Sequence, residues 1–170
     1  MNVLLVYPKC LGSFWNYSNT LKLISKKVTV RPPDLNRVSE ILPDSWSKRM
    51  VDLNIAELEA NDIQWADYVF ISAMYIQKRS VDKIIIECKK YNKKVVAGGP
   101  LFTKEYGKYL DVDHFILNDI EITLPLFLAD LKSGQPQIVY TTRGFANLSQ
   151  APVPYSYLLS LRGYTSLLPG

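Results

Sequence analysis

The chain has 170 residues, of which 48% are hydrophobic and 21% are charged, and its formal net charge is +4. These values fit one compact domain and leave too little chain for two. The modest charge argues against nucleic-acid binding, and two cysteines are too few for a disulfide framework. No apolar run approaches the roughly 20 residues that span a bilayer. The start, MNVLLVYP, lacks the features of a signal peptide, so the expected compartment is the cytoplasm.

The chain begins with a continuous apolar run, NVLLVYP, which is typical of a strand buried on both faces. A long polar and aromatic loop is predicted next, from Lys9 to Pro33, and loops of this length tend to be functional. A helix should follow, with one apolar face made of Leu35, Val38, Ile41 and Leu42. KRMVDLNI then predicts a second strand, AELEANDIQWADY a short crossover and YVFISAM a third strand.

The clearest helix lies in RSVDKIIIECKKYN, where apolar residues recur at three- and four-residue spacing. That spacing places Cys88 in the core, since a thiol packs as a small hydrophobe. KKVVAGG predicts the fourth strand and DHFILN the fifth, with a short helix around FTKEYGKYL between them. A last helix should run through IEITLPLFLADLKSG and end at Gly134.

Strands and helices thus alternate along the chain, and the apolar composition of every predicted strand indicates that it is fully buried. This pattern predicts an α/β fold with a doubly wound parallel sheet and right-handed crossovers. The predicted domain covers residues 1–134. Residues 135–170 are richer in proline and lack periodicity, which predicts a tail or linker.

In an open parallel sheet, ligands bind at the carboxyl ends of the strands. Gly98 and Gly99 leave the fourth strand at that edge, where a glycine pair indicates either a tight turn or close approach to a ligand. No G-x-G-x-x-G sequence or P-loop is present, which argues against a dinucleotide or nucleoside triphosphate. Asp52 stands where a ribose-binding acid would, but by itself it is weak evidence.

Two side chains with catalytic potential are expected to be inert. His114 starts the fifth strand, roughly 15 Å from the ligand edge at about 3.3 Å per residue, which favours a structural or surface histidine. Cys10 follows the first strand without a neighbouring base or second ligand. With no nucleophile–base pair and no metal cluster, the domain is expected to bind rather than to catalyse.

Five segments taken together, VDLN, WADYVFISAM, VVAGGPLFT, VDHFIL and APVP, closely resemble the amino-terminal domain of cobalamin-binding radical S-adenosylmethionine proteins, which include methyltransferases. The resemblance covers essentially the whole chain. It implies a Rossmann-like, five-stranded parallel sheet of flavodoxin-like order 2-1-3-4-5 in three α/β/α layers. It also implies that the corrin lies across the carboxyl edge, with the nucleotide tail in a deep cleft.

The resemblance assigns parts of the cofactor site to individual residues. Ser72 matches the serine loop after the third strand, Gly98 and Gly99 match the glycine pair beside the tail, and Asn118 and Asp119 match the loop after the fifth strand. No catalytic or metal-ligating residue is assigned. The full predicted cobalamin-binding set is Tyr7, Pro8, Ser72, Ala73, Met74, Gln77, Gly98, Gly99, Pro100, Thr103, Asn118 and Asp119.

The chain departs from the family pattern in three places. The D-x-H-x-x-G motif is missing, so bound cobalamin is expected to be base-off and without a histidine ligand. PPDLN stands where Pro-Pro-Leu-Gly is expected, and ND where Gly-Glu is expected, although Asn118 tolerates a positive φ. The C-x-x-x-C-x-x-C motif is absent, which leaves the iron–sulfur cluster and S-adenosylmethionine to a partner domain.

The leading hypothesis is therefore a cobalamin-binding module that serves methyl transfer together with a radical S-adenosylmethionine domain or protein and is not catalytic alone. The alternative is a binding or regulatory module of the same fold that has lost cobalamin or that holds another tetrapyrrole. A small-molecule enzyme of flavodoxin-like fold is disfavoured by the missing phosphate loops.

Overall fold

The computed structural model describes residues 1–10 and 33–142. Their six strands form one parallel sheet in the order β2-β1-β3-β4-β5-β6. The α/β, Rossmann-like class predicted from sequence is therefore confirmed. The strands are β1 (Asn2–Tyr7), β2 (Ser47–Asp52), β3 (Tyr68–Ser72), β4 (Lys94–Gly98), β5 (His114–Ile116) and β6 (Val139–Tyr140).

Helices cover both faces of the sheet. The helices are α1 (Pro33–Ile41), α2 (Ala60–Trp65), α3 (Lys78–Lys90), α4 (Pro100–Glu105) and α5 (Ile120–Ser133). The first face carries α2, α3 and α4, whose buried residues include Ile63, Ile84 and Phe102. The opposite face carries α1 and α5, which contribute Leu35, Leu124 and their apolar neighbours. Short 3-10 turns occupy Tyr75–Gln77 and Tyr106–Lys108.

The predicted count of five strands is wrong by one, because residues 139–140 add β6 to the edge beside β5. The main-chain amide of Phe115 donates to the carbonyl of Ile138 at 2.7 Å, and that of Leu117 donates to the carbonyl of Tyr140 at 2.9 Å. Tyr140 also packs into the core on the α1/α5 face. The sheet thus continues past residue 134, while residues 143–170 of the predicted tail lie outside the described residues.

Alternation along β1 explains how one strand serves two cores. Leu4 and Val6 enter the core beneath α2–α4, whereas Val3 and Leu5 enter the core beneath α1 and α5. The prediction that every strand is fully buried fails for β2. This strand lies at the edge of the sheet, and only Asp52 among its six residues is buried.

Three single-residue predictions can be compared with the fold. Cys88 is fully buried on α3, and burial raises its pKa to about 12, as expected of a core thiol. Gly134 ends α5 with a left-handed φ of 77°. His114 is buried at the start of β5, with Nδ1 lying 2.7 Å from the carbonyl oxygen of Gln137. Because β5 has only three residues, the predicted distance of roughly 15 Å to the carboxyl edge is too long, and about 7 Å follows from the strand rise. The long predicted loop falls mostly on residues 11–32, which lie outside the described residues.

Across the described ranges, no helix has both the length and the apolar composition required to cross a membrane.

Candidate functional site

A narrow cleft opens at the carboxyl edge of the sheet, between α1 and α5. Its volume is about 180 Å³. The apolar walls and floor come from both helices and from β3–β5, and include Leu35, Val38, Phe70, Val96, Ile116, Ile120 and Leu124. Its polar lining consists of the side chains of Asp34, Arg37, Ser72 and Asn118 and the backbone of Gly98 and Gly99. Hence four of the twelve predicted site residues, Ser72, Gly98, Gly99 and Asn118, line one cleft.

Contacts within the protein explain why positions 98 and 99 are both glycine. A Cβ on Gly98 would lie 2.8 Å from the carbonyl oxygen of Ile116 on the neighbouring strand. Gly99 has φ 91° and ψ 175°, a conformation essentially confined to glycine, and its Cβ would lie 2.9 Å from both N and O of Ala73. Close packing therefore requires both glycines, whether or not a ligand approaches them.

Main-chain hydrogen bonds hold the loops after β3 and β4 together at this point. The amide of Ala73 donates to the carbonyl of Gly98 at 3.1 Å, and the amide of Leu101 donates to the carbonyl of Ala73 at 3.0 Å. Because these bonds lock the two loops, Ser72 at the end of β3 and the glycine pair at the end of β4 share a rigid floor.

The hydroxyl of Ser72 forms the polar end of the cleft with Asp34. Its Oγ donates to Oδ2 of Asp34 at 3.3 Å, which joins β3 to the first turn of α1 across 38 residues of sequence. Ser72 itself is 94% buried, with 6% of its surface exposed, whereas Asp34 is exposed. The hydroxyl proton is thereby directed toward a carboxylate.

Arg37 on α1 joins the two helices that flank the cleft. Its Nε donates to Oε1 of Glu121 on α5 at 2.9 Å, and its terminal nitrogens bind Glu121 and Glu40. Burial opposes the charge of Arg37, but the hydrogen bonds and charges of the two glutamates outweigh this effect and raise its pKa. The guanidinium therefore closes one side of the cleft as part of an ion-pair network.

The loop after β5 has the local geometry that the sequence suggested. Asn118 has a positive φ of 64°, and its amide nitrogen donates to Oγ1 of Thr141 and to the carbonyl of Thr142, at 2.9 and 2.8 Å. Asp119 is the N-cap of α5, where its carboxylate accepts a hydrogen bond from the amide of Glu121. Both residues therefore help to build the loop, and Asn118 alone of the two lines the cleft.

A second polar group at the same edge is buried within the protein, and we call it the Gln77 clamp. Gln77 has no exposed surface. Its Nε2 donates to the carbonyl of Pro8 at 2.6 Å, and its Oε1 accepts from the amide of Met74 at 2.8 Å. Asn54 joins the clamp because its Nδ2 donates to the carbonyl of Pro8 at 3.4 Å, and its backbone amide and Nδ2 also donate to Oδ1 of Asp52 at 2.8 and 2.7 Å. The clamp ties the loops after β1, β2 and β3 to one another.

Burial beside the clamp raises the pKa of two neighbouring groups. Burial, together with the nearby Cys10 and Asp52, raises the pKa of Tyr7 to about 12, although a hydrogen bond with Gln77 opposes the shift. Burial likewise raises the pKa of the Cys10 thiol, with a further contribution from Asp52. Both groups are therefore protonated near neutrality. Asp52, which resembled a ribose-binding acid, is only 2% exposed and bonds to Asn54 instead.

The remaining predicted residues lie along the edge but outside the cleft lining. Ala73 is buried in the core beneath α2–α4, and Met74 is 52% exposed. Pro100 and Thr103 are exposed on α4, where Oγ1 of Thr103 donates to the carbonyl of Gly99 at 3.3 Å. The predicted set is thus spread over the cleft, the clamp, the core, the helix cap at Asp119 and the exposed surface, rather than forming one pocket.

Sequence reasoning missed the residues that α1 and α5 contribute, above all Asp34 and Arg37. In the sequence, Asp34 is distinguished only as a departure from the family pattern within PPDLN. Its position beside Ser72 depends on how α1 packs against the sheet, which no local pattern reports. The sequence did place Asp34 in the first turn of a predicted helix, where an acidic side chain is stabilised by the positive end of the helix dipole. That position was the one feature that could have identified it.

The chain is similar to two longer proteins along nearly all of its length. An uncharacterized methyltransferase of Synechocystis sp. is 34% identical over 169 residues, which cover 98% of this chain and 32% of that protein. A hopanoid C-2 methylase of Rhodopseudomonas palustris is 28% identical over 179 residues, which cover 98% of this chain and 34% of that protein. No protein-family model and no solved structure matches the chain. The chain spans about a third of the length of these curated relatives, and it is related to proteins named as methyltransferases.

Proposed function

We propose that the chain is a cobalamin-binding module that, with a radical S-adenosylmethionine domain or protein, serves methyl transfer. Cobalt in the bound cofactor would carry the methyl group, while the protein supplies binding and orientation. The observation that carries the proposal is the cleft at the carboxyl edge, where the family resemblance expects the nucleotide tail. The methyltransferase and methylase names of the two relatives support the methyl-transfer part.

The composition of the cleft fits an aromatic group at the end of a larger ligand. Most of the lining is apolar, and a few polar groups converge at one end, which is the usual make-up of a small-molecule site. Its volume of about 180 Å³ is below the roughly 300–1,000 Å³ that encloses a drug-sized ligand. The cleft therefore suits the lower base of a corrinoid, and the corrin ring would lie outside it, over the edge of the sheet.

Cobalamin is proposed to bind base-off and without a histidine ligand. The chain has one histidine, His114, which starts β5 and is not among the residues that line the cleft, although its strand partner Val96 is. The imidazole is buried between the rings of Tyr68 and Phe127, with centroids 6.3 and 5.1 Å away. Release from that packing would be needed before this histidine approached cobalt.

Reconstitution with hydroxocobalamin tests the proposal directly. The purified chain should retain about one cobalamin after gel filtration, as measured by absorbance. Electron paramagnetic resonance of the reduced cobalt(II) form should show no axial nitrogen splitting. Splitting from a protein nitrogen would contradict the coordination proposed. Failure to retain cobalamin would contradict the function and favour a module of the same fold that binds something else.

A pair of substitutions on α5 tests whether the cleft is the binding site. Ile120 is half-buried and lines the cleft, while Ile122 is half-buried on the same helix but outside the lining. Ile120→Trp should fill the cleft and lower cobalamin retention, whereas Ile122→Trp should leave it close to wild type. Thermal melts of both variants control for folding. Equal retention by the two variants would place the cofactor elsewhere.

A further inference from the structure

We infer that the cleft selects a lower base that donates a hydrogen bond, and that Asp34 is the residue that determines this selection. The inference rests on the proposed function, because it concerns which corrinoid the same cleft prefers. It follows from the donors of Ser72 and Asn118, which the protein already uses, from the ion pairs of Arg37, and from the acceptor that is left.

Two polar side chains of the cleft direct their donors into the protein. The hydroxyl of Ser72 donates to Asp34, so its proton faces the carboxylate instead of the cleft. The amide nitrogen of Asn118 gives both of its hydrogens to Thr141 and Thr142. Each side chain therefore presents an oxygen acceptor to a ligand.

The charges around the cleft favour the same kind of ligand. Arg37 is bound by the carboxylates of Glu121 and Glu40, so its positive charge is already matched. Among the described residues, Asp34 makes no ion pair within 4.0 Å, and its exposed carboxylate faces the cleft beside Ser72. A donor on the ligand would form a charge-assisted hydrogen bond there, which is roughly twice as strong as a neutral one.

Corrinoid lower bases differ in this property. In the nucleotide tail of cobalamin, neutral dimethylbenzimidazole has one ring nitrogen that accepts a hydrogen bond and no N–H that donates one. Adenine in the same position carries an exocyclic amino group with two N–H donors. The amino group of adenine can donate a hydrogen bond to Asp34 on the cleft wall. The ring nitrogen of dimethylbenzimidazole needs a donor instead, and Ser72 does not supply one because its hydroxyl donates to Asp34. The geometry therefore favours the adenine-type base.

The test compares three corrinoids on the full chain: cobalamin, the cobamide whose lower base is adenine, and cobinamide, which has no base. Dissociation constants from absorbance titration should show the adenine form bound about tenfold more tightly than cobalamin, as one charge-assisted hydrogen bond implies. Asp34→Leu should abolish the preference, and Asp34→Asn should reduce it. Asp44→Leu, at an exposed position outside the cleft lining, is the matched control and should keep it.

The outcomes separate this inference from the function on which it rests. Equal affinity for all three corrinoids, tighter binding of cobalamin, or a preference unchanged in Asp34→Leu would overturn the inference while leaving corrinoid binding intact. If none of the three corrinoids binds, the proposed function fails, and the inference fails with it.

Discussion

The cleft and the Gln77 clamp lie at the same edge of the sheet, but the polar side chains of the two regions differ in burial and in their hydrogen-bond partners. In the clamp, both ends of a completely buried glutamine bond to main-chain groups of Pro8 and Met74. In the cleft, Ser72 and Asp34 bond to each other at the wall of a cavity of about 180 Å³. The polar groups of the clamp are thus fully paired inside the protein, whereas the oxygens of Ser72 and Asp34 lie at the wall of an open cleft.

A position at the carboxyl edge therefore does not by itself indicate a ligand contact. Ser72 is the last residue of β3 and Gln77 lies five positions later, in the following 3-10 turn, and the resemblance assigned both to the cofactor. Yet Gln77 is completely buried in clamp contacts, and Ser72 lines the cleft. Substitutions in the clamp should therefore act on stability, and substitutions in the cleft should act on binding.

The largest expected effect is that of Gln77→Ala. It leaves the amide of Met74 without its partner and the carbonyl of Pro8 with only the 3.4 Å bond from Asn54, and each lost partner costs about 1–3 kcal/mol. The free energy of unfolding, measured by urea denaturation, should fall by about 2–4 kcal/mol. Gln64→Ala, at an exposed position on α2, should change it by less than about 0.5 kcal/mol. A small effect of Gln77→Ala would mean that the clamp is not closed as described.

The second effect concerns Gly99, which belongs to the cleft lining but is held by close packing. Gly99→Ala places a Cβ 2.9 Å from the backbone of Ala73 in a glycine-only conformation, so unfolding free energy should fall by about 2–3 kcal/mol. Gly107→Ala is the matched control, because no atom lies within 4 Å of its added Cβ. Loss of cobalamin binding without loss of stability in Gly99→Ala would instead show that the glycine serves the ligand.

Ser72→Ala should have a smaller effect on stability, because it removes one hydrogen bond to an exposed carboxylate. We expect a loss of less than about 1 kcal/mol in unfolding free energy. Corrinoid affinity should change more than stability, since the substitution alters the cleft wall. A destabilisation as large as that of Gln77→Ala would remove the distinction between the two regions.

The smallest effect is kinetic and concerns Cys10 beside the clamp. Burial and Asp52 raise the pKa of its thiol, so less of the reactive thiolate is present at a given pH. Alkylation of Cys10 by iodoacetamide, followed by peptide mass spectrometry, should be slower in the folded chain than in urea. The rate should keep rising above pH 9.0, the ordinary thiol value. A plateau below that pH would indicate an activated thiol and contradict the description of the clamp.

Local patterns in the sequence determined the fold class and part of the site. Continuous apolar runs predicted β1, β3, β4 and β5, and apolar residues at helical spacing predicted α3. The preference of glycine for the left-handed conformation after a helix predicted the end of α5 at Gly134. The loop after β5 was anticipated because asparagine accepts a positive φ, as Asn118 does. Such features depend on residues close together in the chain, so periodicity and turn preferences report them.

The features that join distant segments depend on tertiary packing and could not be predicted from local sequence patterns. β6 is two residues long and is held by hydrogen bonds to β5, so it is too short to show an alternating sequence pattern. The half-exposed character of β2 follows from its place at the edge of the sheet. Asp34 meets Ser72 because α1 packs over the sheet, and Gln77 is buried because two loops close around it. Burial and pairing between remote residues are set by packing, and this packing separates the clamp from the cleft.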